Sequence, residues 1–470
     1  MSRILDRSII AGFFALLAFT ALAHGAVEPW SAALWETGTA ILLLLWGIKL
    51  AVEKRLHFRI PAAALPIGGL AALALAQSTI TNLSKDQEAS RSAALALFSA
   101  FSMYLLGANF LVSHGRLRAA ANFLVVFGLA LAVFGLVQHF TWNGKLYWFR
   151  PNTQSASPFG PFVNHNHFAG LMGMLITLAA ALAASDVGFE SRLFYGFAAA
   201  VMGVASVLSL SRGGMISLIA AFALIAAMTS RRKRHGHDEE YSETPHRSRR
   251  KKSARRARVL APAAFVLLIF VTIGAGVLWI GSDPVINRVA KSGEASQSET
   301  FFMSRGWIWR DTIAMIKANP IFGVGIGAYQ TAYPIYSESD GSLVVAQAHN
   351  DYLQLVADGG IVAGALALWF LIVIGRSMLK SARAHDPLVS AIAIGSAGGI
   401  FAMLVHSLID FNLQLPSNAL VFLTLVAVQS NISLVAAKRR VRTHRHHSVV
   451  AEPEVIELDA PPSAAAMSGL

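Results

Sequence analysis

Three arginines and a histidine carry the chemistry that this chain can do: Arg212, Arg305, Arg310 and His349. A guanidinium binds phosphate oxygens through two parallel hydrogen bonds. A neutral imidazole accepts a hydroxyl proton near neutral pH. Arg212 stands in Ser211-Arg212-Gly213-Gly214, between two apolar runs. Arg305, Trp309 and Arg310 share one polar segment. His349 and Asn350 close that segment just before the next apolar run, with Asp351 following. Asn350 or Asp351 is expected to fix the tautomer of His349. Other ionisable groups lie at apolar-run ends: His165 and His167 in Asn164-His-Asn-His, and His406 and Asp410, four residues apart and so expected on one helix face. Neither histidine pair has the company of Cys, Asp or Glu that a metal site needs, so no metal and no cofactor is expected. A contact with substrate suits His165 and His167, and a supporting role suits His406 and Asp410.

The rest of the chain must position these groups, and it is membrane helix. Of 470 residues, 55% are hydrophobic and 14% charged, against about 25% charged in soluble domains. The mean hydropathy is +0.53. Twelve apolar runs are long enough to span a bilayer: about 8–25, 30–50, 60–80, 92–112, 119–141, 165–184, 192–210, 213–229, 259–281, 357–376, 388–410 and 415–436. The expected fold is all-α and polytopic. It divides into five helices (1–141), an outer loop (142–164), three helices (165–229), a basic inner loop (230–258), a C-terminal unit (259–436) holding the long outer loop 282–356, and a disordered tail (437–470). The first run has Arg3, Arg7 and an Ala21-Leu22-Ala23 site like a secretory signal; a retained first helix is the expectation. The absence of cysteine excludes disulfides and thiolate sites.

Lysine and arginine in the loops set the orientation. Basic residues follow runs two, four, eight, ten and twelve, and twelve of them lie between 231 and 258. All five loops fall on the inner side when the N-terminus is cytoplasmic. The net charge of +13 is therefore read as a topology signal facing anionic lipid, and no nucleic acid is expected. The same count places Arg212, His165, His167, Arg305, His349, His406 and Asp410 together at the outer boundary. Trp142, Tyr147, Trp148 and Phe149 in the first outer loop suit an interfacial aromatic belt or stacking on sugar.

Residues 304–317 read as an amphipathic helix with Ser304 as N-cap. At 100° per residue Arg305 and Arg310 stand about 140° apart, so only one faces a given site. Arg305, on the face of Trp309, is preferred. Gly323-Val-Gly325-Ile-Gly327 lacks the strand and the spacing of a dinucleotide loop and reads as a tight turn between helices.

Four pieces in this order resemble the O-antigen ligase and polymerase superfamily: Ser211-Arg212-Gly213-Gly214; Ser304-Arg305-Gly-Trp-Ile-Trp309-Arg310; Asn319-Pro-Ile-Phe-Gly-Val-Gly325; and His349-Asn350 with Gly360 beyond. The resemblance covers about 200–420. The basic insert at 231–258 separates the first two pieces more widely than that pattern leads one to expect. The resemblance implies a glycosyltransferase architecture of the GT-C-like kind and a metal-independent transfer at the periplasmic face of a bacterial inner membrane. The donor would be a glycan on undecaprenyl diphosphate. The acceptor would be another glycan, lipid A-core or a protein hydroxyl. Arg212 and Arg305 would hold the diphosphate and His349 would act on the acceptor hydroxyl; Asn350, Arg310, Trp309, His165 and His167 would bind substrate. An anion transporter and a non-catalytic scaffold of an envelope assembly complex are the competing readings.

Overall fold

The computed structural model describes residues 1–54, 58–151, 157–238, 295–338, 344–381, 384 and 386–450. The long helices among them are α1 (Ser2–Leu22), α2 (Pro29–Glu53), α3 (Ala64–Thr79), α4 (Gln87–Phe110), α5 (His114–Phe140), α6 (His165–Ala183), α7 (Phe189–Leu208), α8 (Arg212–Asp238), α9 (Ala295–Ala318), α10 (Asp351–Ser381), α11 (Pro387–His406) and α12 (Pro416–Val450). Ten of these are long and apolar enough to cross a membrane. α3, with 16 residues, rises only about 24 Å, somewhat less than a hydrocarbon core of about 30 Å. The protein is thus an all-α polytopic membrane protein. The ninth expected span, 259–281, lies outside the described residues.

α6, α11 and α12 form the centre, and α1 and α2 lie further out with large apolar side chains exposed. Small residues let the central helices approach. A Cβ on Gly395 would stand 2.8 Å from the Cα of Leu178, and one on Gly399 would stand 2.8 Å from the carbonyl oxygen of Met174. α1 adds Ile9, Phe13 and Leu17 to the same core.

The two ends of the bundle differ. At one end Arg116 bonds Asp6 at 2.5 Å, Lys49 lies 3.4 Å from the same carboxylate, and Arg59 donates to the carbonyl of Ser430 at 2.7 Å. At the other end the starts of α6, α8 and α10 meet the turn between α11 and α12. The loop after α5 folds down at this second end as a two-stranded hairpin, Lys145–Leu146 with Arg150–Pro151. The Tyr147 hydroxyl donates to Leu22 O at 2.5 Å, and the Trp148 indole donates to the Thr141 hydroxyl at 2.8 Å. Two of the four aromatic side chains are therefore engaged by the protein itself, while Phe149 is 74% exposed.

Three boundaries differ from the sequence expectation. α9 begins at Ala295, so Ser304 is inside the helix and not its N-cap; nothing between 295 and 303 is Gly or Pro to stop it. α12 continues to Val450, where a disordered tail from 437 was expected; its Ala, Lys and Arg residues are good helix formers. α11 ends at His406 rather than near 410, which releases Ser407–Asp410 into the turn.

The glycine segment after α9 is a turn that docks on a kink in α10. Val324 N–H donates to Ala357 O and Gly325 N–H to Asp358 O, both at 2.9 Å. The Gln77 amide donates to Phe322 O at 2.6 Å and accepts from Ile326 N–H at 2.9 Å. The kink is at Gly360, with φ +63° and ψ −160°, a region open essentially to glycine alone. A Cβ there would lie 2.2 Å from Ile321 O. Gly360→Ala therefore combines backbone strain of about 1–3 kcal/mol with a backbone clash. The expected result is a sharp fall in folded yield and melting temperature, read by fluorescence size-exclusion chromatography; wild-type behaviour would show that the docked turn is dispensable.

Candidate active site

The turn 406–412 is the meeting point. Arg305, on α9, donates from its guanidinium to Ile409 O. Gly213, next to Arg212, packs on the same turn: a Cβ there would stand 2.8 Å from both His406 Nε2 and Ile409 Cδ1. α8 starts here because Leu210 turns the chain with φ +58° and the Ser211 hydroxyl accepts from Gly214 N–H at 3.2 Å. Arg212 is thereby held at the mouth of α8, half-buried. A side chain at position 213 would crowd the ring of His406 and a methyl of Ile409.

His349 reaches the turn from the other side. Its Nδ1 lies 3.9 Å from Asp410 Oδ1, within ion-pair range and beyond a hydrogen bond. Its ring sits edge-on to Phe411, with centroids 5.0 Å apart. His349 is 35% exposed, whereas Asp410 is 2% exposed. An imidazole open to solvent on one side and backed by a buried carboxylate is the arrangement that sets a histidine's orientation in acid–base sites. The sequence reading gave the tautomer-fixing job to Asn350 or Asp351; the carboxylate within ion-pair range of the His349 ring is that of Asp410. Asn350 instead caps α10, its Oδ1 accepting from Tyr352 and Leu353 N–H at 3.0 Å. Asp351 turns away, accepting from the Ser407 hydroxyl at 2.7 Å and Leu413 N–H at 3.1 Å, while its own N–H donates to Ser407 O at 2.9 Å.

The backbone of His349 has φ +51°, uncommon for a residue with a side chain. Its neighbours hold it there. Ala348 O accepts from the Trp309 indole at 2.9 Å, and Ala348 N–H donates to Gln354 Oε1 at 2.8 Å. Trp309 thus ties the loop to α9 one residue from His349. Local strain maintained by surrounding bonds is common at functional sites.

The remaining sequence candidates divide. His167 is buried, its ring 4.7 Å from the Phe411 centroid and its Nδ1 3.3 Å from Asn412 Oδ1. His165 lies at the rim, where Nδ1 donates to Ser157 O at 3.0 Å. Arg310 faces away, pairing with Asp311 at 3.2 Å and Glu338 at 2.8 Å, and is not brought to the cluster. His406 and Asp410 do not share a helix face: His406 is the last residue of α11, and Asp410 lies in the turn beyond it. They do not pair by hydrogen bond: among the described residues neither ring nitrogen of buried His406 has a hydrogen-bond partner. Four residues that sequence reasoning left out complete the cluster: Phe411, Asn412, Gln354 and Asn418, whose amide donates to His167 O at 3.0 Å and Asn412 Oδ1 at 2.9 Å. Amides within or beside apolar runs are the signal that pointed to Gln354, Asn412 and Asn418; nothing in the sequence singled out Phe411.

Asp410 carries the negative charge of the cluster. Burial pushes its carboxyl up, but His349, then His167 and His406, and the Phe411 N–H together hold it well below the usual carboxylate range. Burial lowers the Arg305 pKa and the charge of Asp410 raises it in part. A depressed carboxylate stabilises the fold above its unfolded pKa, about 3.9, and that contribution is lost as pH falls through the folded value. Asp410→Asn should therefore cost roughly 3–5 kcal/mol at pH 7. The gap in melting temperature between variant and wild type should shrink below about pH 4. A gap independent of pH would contradict a charged Asp410. Among the described residues no group of three or more His, Asp or Glu could hold a metal ion.

Fold and cluster together define a polytopic helical membrane protein with guanidinium, imidazole and carboxylate groups gathered at one end of the bundle. Residues 197–368 match the family described as O-Antigen ligase, a similarity that supports a ligase- or polymerase-like function in polysaccharide biosynthesis. The matched stretch contains Arg212, Arg305 and His349; it ends before His406 and Asp410, which the fold brings to them. No curated protein matches the chain.

Proposed function

We propose that this protein transfers a glycan from a polyprenyl diphosphate to an acceptor hydroxyl at the periplasmic face of the inner membrane. The observation that supports this reading is the convergence of the Arg212–Gly213 helix start, Arg305 and the His349–Asp410 pair on a single turn. The two guanidiniums bind the donor diphosphate, on which negative charge grows as it leaves. The acceptor oxygen attacks the anomeric carbon, and a new C–O bond forms. The anomeric C–O bond to phosphate breaks, and polyprenyl diphosphate departs with the electron pair. The hydroxyl proton passes to His349, which Asp410 orients.

This division of labour needs no divalent metal, because arginine supplies the charge at the leaving group. The apolar helix faces hold the polyprenyl chain of the donor. The acceptor is a saccharide hydroxyl, either on a second lipid-linked glycan or on lipid A-core. The similarity of residues 197–368 to O-antigen ligase supports reading the lipid as undecaprenyl and the membrane as the inner one.

The test is a vesicle assay with purified protein, a polyprenyl-diphosphate oligosaccharide and an acceptor, in the presence of EDTA. One polyprenyl diphosphate should be released per glycosidic bond formed. Movement of an anion across the vesicle without bond formation would favour a transporter instead.

A further inference from the structure

The end of the bundle opposite the cluster has a cleft of its own. It lies between the starts of α5 and α7, with a cavity volume of about 310 Å³. That is at the low end of the range for small-molecule sites, ~300–1,000 Å³, enough for a headgroup and too little for a glycan chain. Arg118 and Asn122 line it from α5; Glu190, Ser191 and Tyr195 line it from α7. Tyr195 is buried, and its hydroxyl donates to Asn122 Oδ1 at 2.7 Å. That bond pins the carbonyl side of the Asn122 amide, leaving its NH₂ as the donor available to the cleft.

Arg118 and Glu190 carry opposite charges on the walls of one cleft, yet form no ion pair with each other or with any other described residue. Both side chains are exposed, and two opposite charges lining one cleft without pairing match a ligand with one charge of each sign. The lip of the cleft is apolar: Val126 is 51% exposed and Phe194 40% exposed. Phe197 at 61% and Val133 at 45% exposed continue the same helix sides towards the bilayer centre.

We propose that this cleft is a site for a zwitterionic phospholipid with a primary ammonium headgroup. The phosphate sits on Arg118 and the Asn122 amide, and guanidinium–phosphate contacts are the strong ones. The ammonium donates to Glu190 and Ser191. The acyl chains run along Val126, Phe194 and Phe197. An anionic headgroup with no ammonium meets the Glu190 carboxylate unpaired. A quaternary ammonium has no N–H to give it. The site is independent of the transfer reaction, so its fate and that of the proposed function can be read separately.

The test is native mass spectrometry of the full chain, loaded with equal amounts of phosphatidylethanolamine, phosphatidylglycerol and phosphatidylcholine. The wild type should retain one phosphatidylethanolamine roughly tenfold more strongly than either competitor, the worth of one charged hydrogen bond. Arg118→Gln and Glu190→Gln should each weaken that retention by a similar factor, and Glu190→Gln should raise retention of phosphatidylglycerol. Equal retention of all three lipids by the wild type, a measurement that needs no variant, would overturn the proposal. So would variants that hold phosphatidylethanolamine as the wild type does.

Discussion

His349→Ala is expected to abolish glycan transfer while the protein stays folded and inserted. General-base catalysis contributes about 10²–10⁴ in rate, and no other described imidazole replaces His349. His167 and His406 are buried, at 5% and 1% exposed, and His165 is tied to Ser157. The φ of +51° at His349 adds a second expectation. Alanine tolerates this backbone less well than histidine, and the substitution takes a neighbour from buried Asp410, so some fall in melting temperature is expected without loss of the folded state. The readout is turnover in the reconstituted assay alongside the melting temperature. Unfolding large enough to account for the lost turnover would mean that His349 holds the loop and does no chemistry. A loss of turnover from protein that is still folded is the expected result. His349→Gln retains a hydrogen-bonding group without a base; partial activity in that variant would assign His349 to positioning the hydroxyl rather than taking its proton.

The second large effect falls on the arginines. Arg305→Ala and Arg212→Ala should each lower turnover by about 10²–10³, the range for losing one preorganised donor to a developing negative charge. Lysine at either position keeps the charge but not the two-pronged geometry, and should recover only part of the loss. Arg305 also donates to Ile409 O, so its alanine variant loosens the 406–412 turn as well. Arg310 serves as the internal control, because its side chain pairs with Asp311 and Glu338 on the far side of α9. Arg310→Ala should cost less than tenfold. If all three variants behaved alike, the selective role of Arg212 and Arg305 would be lost.

Hydropathy made the helices legible because lipid leaves the backbone few alternatives: each expected span other than 259–281 falls on one of α1–α8 and α10–α12, although α8 and α12 run on to Asp238 and Val450. The 140° separation of Arg305 and Arg310 was legible for the same reason, helix geometry, and the two side chains do part company. What sequence could not supply was the turn on which the cluster is built. Asp410 and His349 are sixty-one positions apart, and no periodicity links them. An i, i+4 spacing suggested that His406 and Asp410 share a face, but α11 ends between them. Asn350 looked like a partner for His349 because it is adjacent, yet an Asn before a helix is first of all its cap. The glycines at 323, 325 and 327 were recognisable as a turn. That they dock on Gly360, and so fix where α10 bends, required the tertiary contacts.

The most direct measurement is single-turnover transfer by purified protein from a polyprenyl-diphosphate oligosaccharide to a saccharide acceptor, with EDTA present. Wild type and His349→Ala would be compared at equal donor occupancy. Stoichiometric product from the wild type, and at least about a hundredfold less from the variant with donor still bound, is the predicted result. Product formed by His349→Ala at the wild-type rate would contradict the central claim that this imidazole, backed by Asp410 and flanked by two arginines, handles the acceptor hydroxyl.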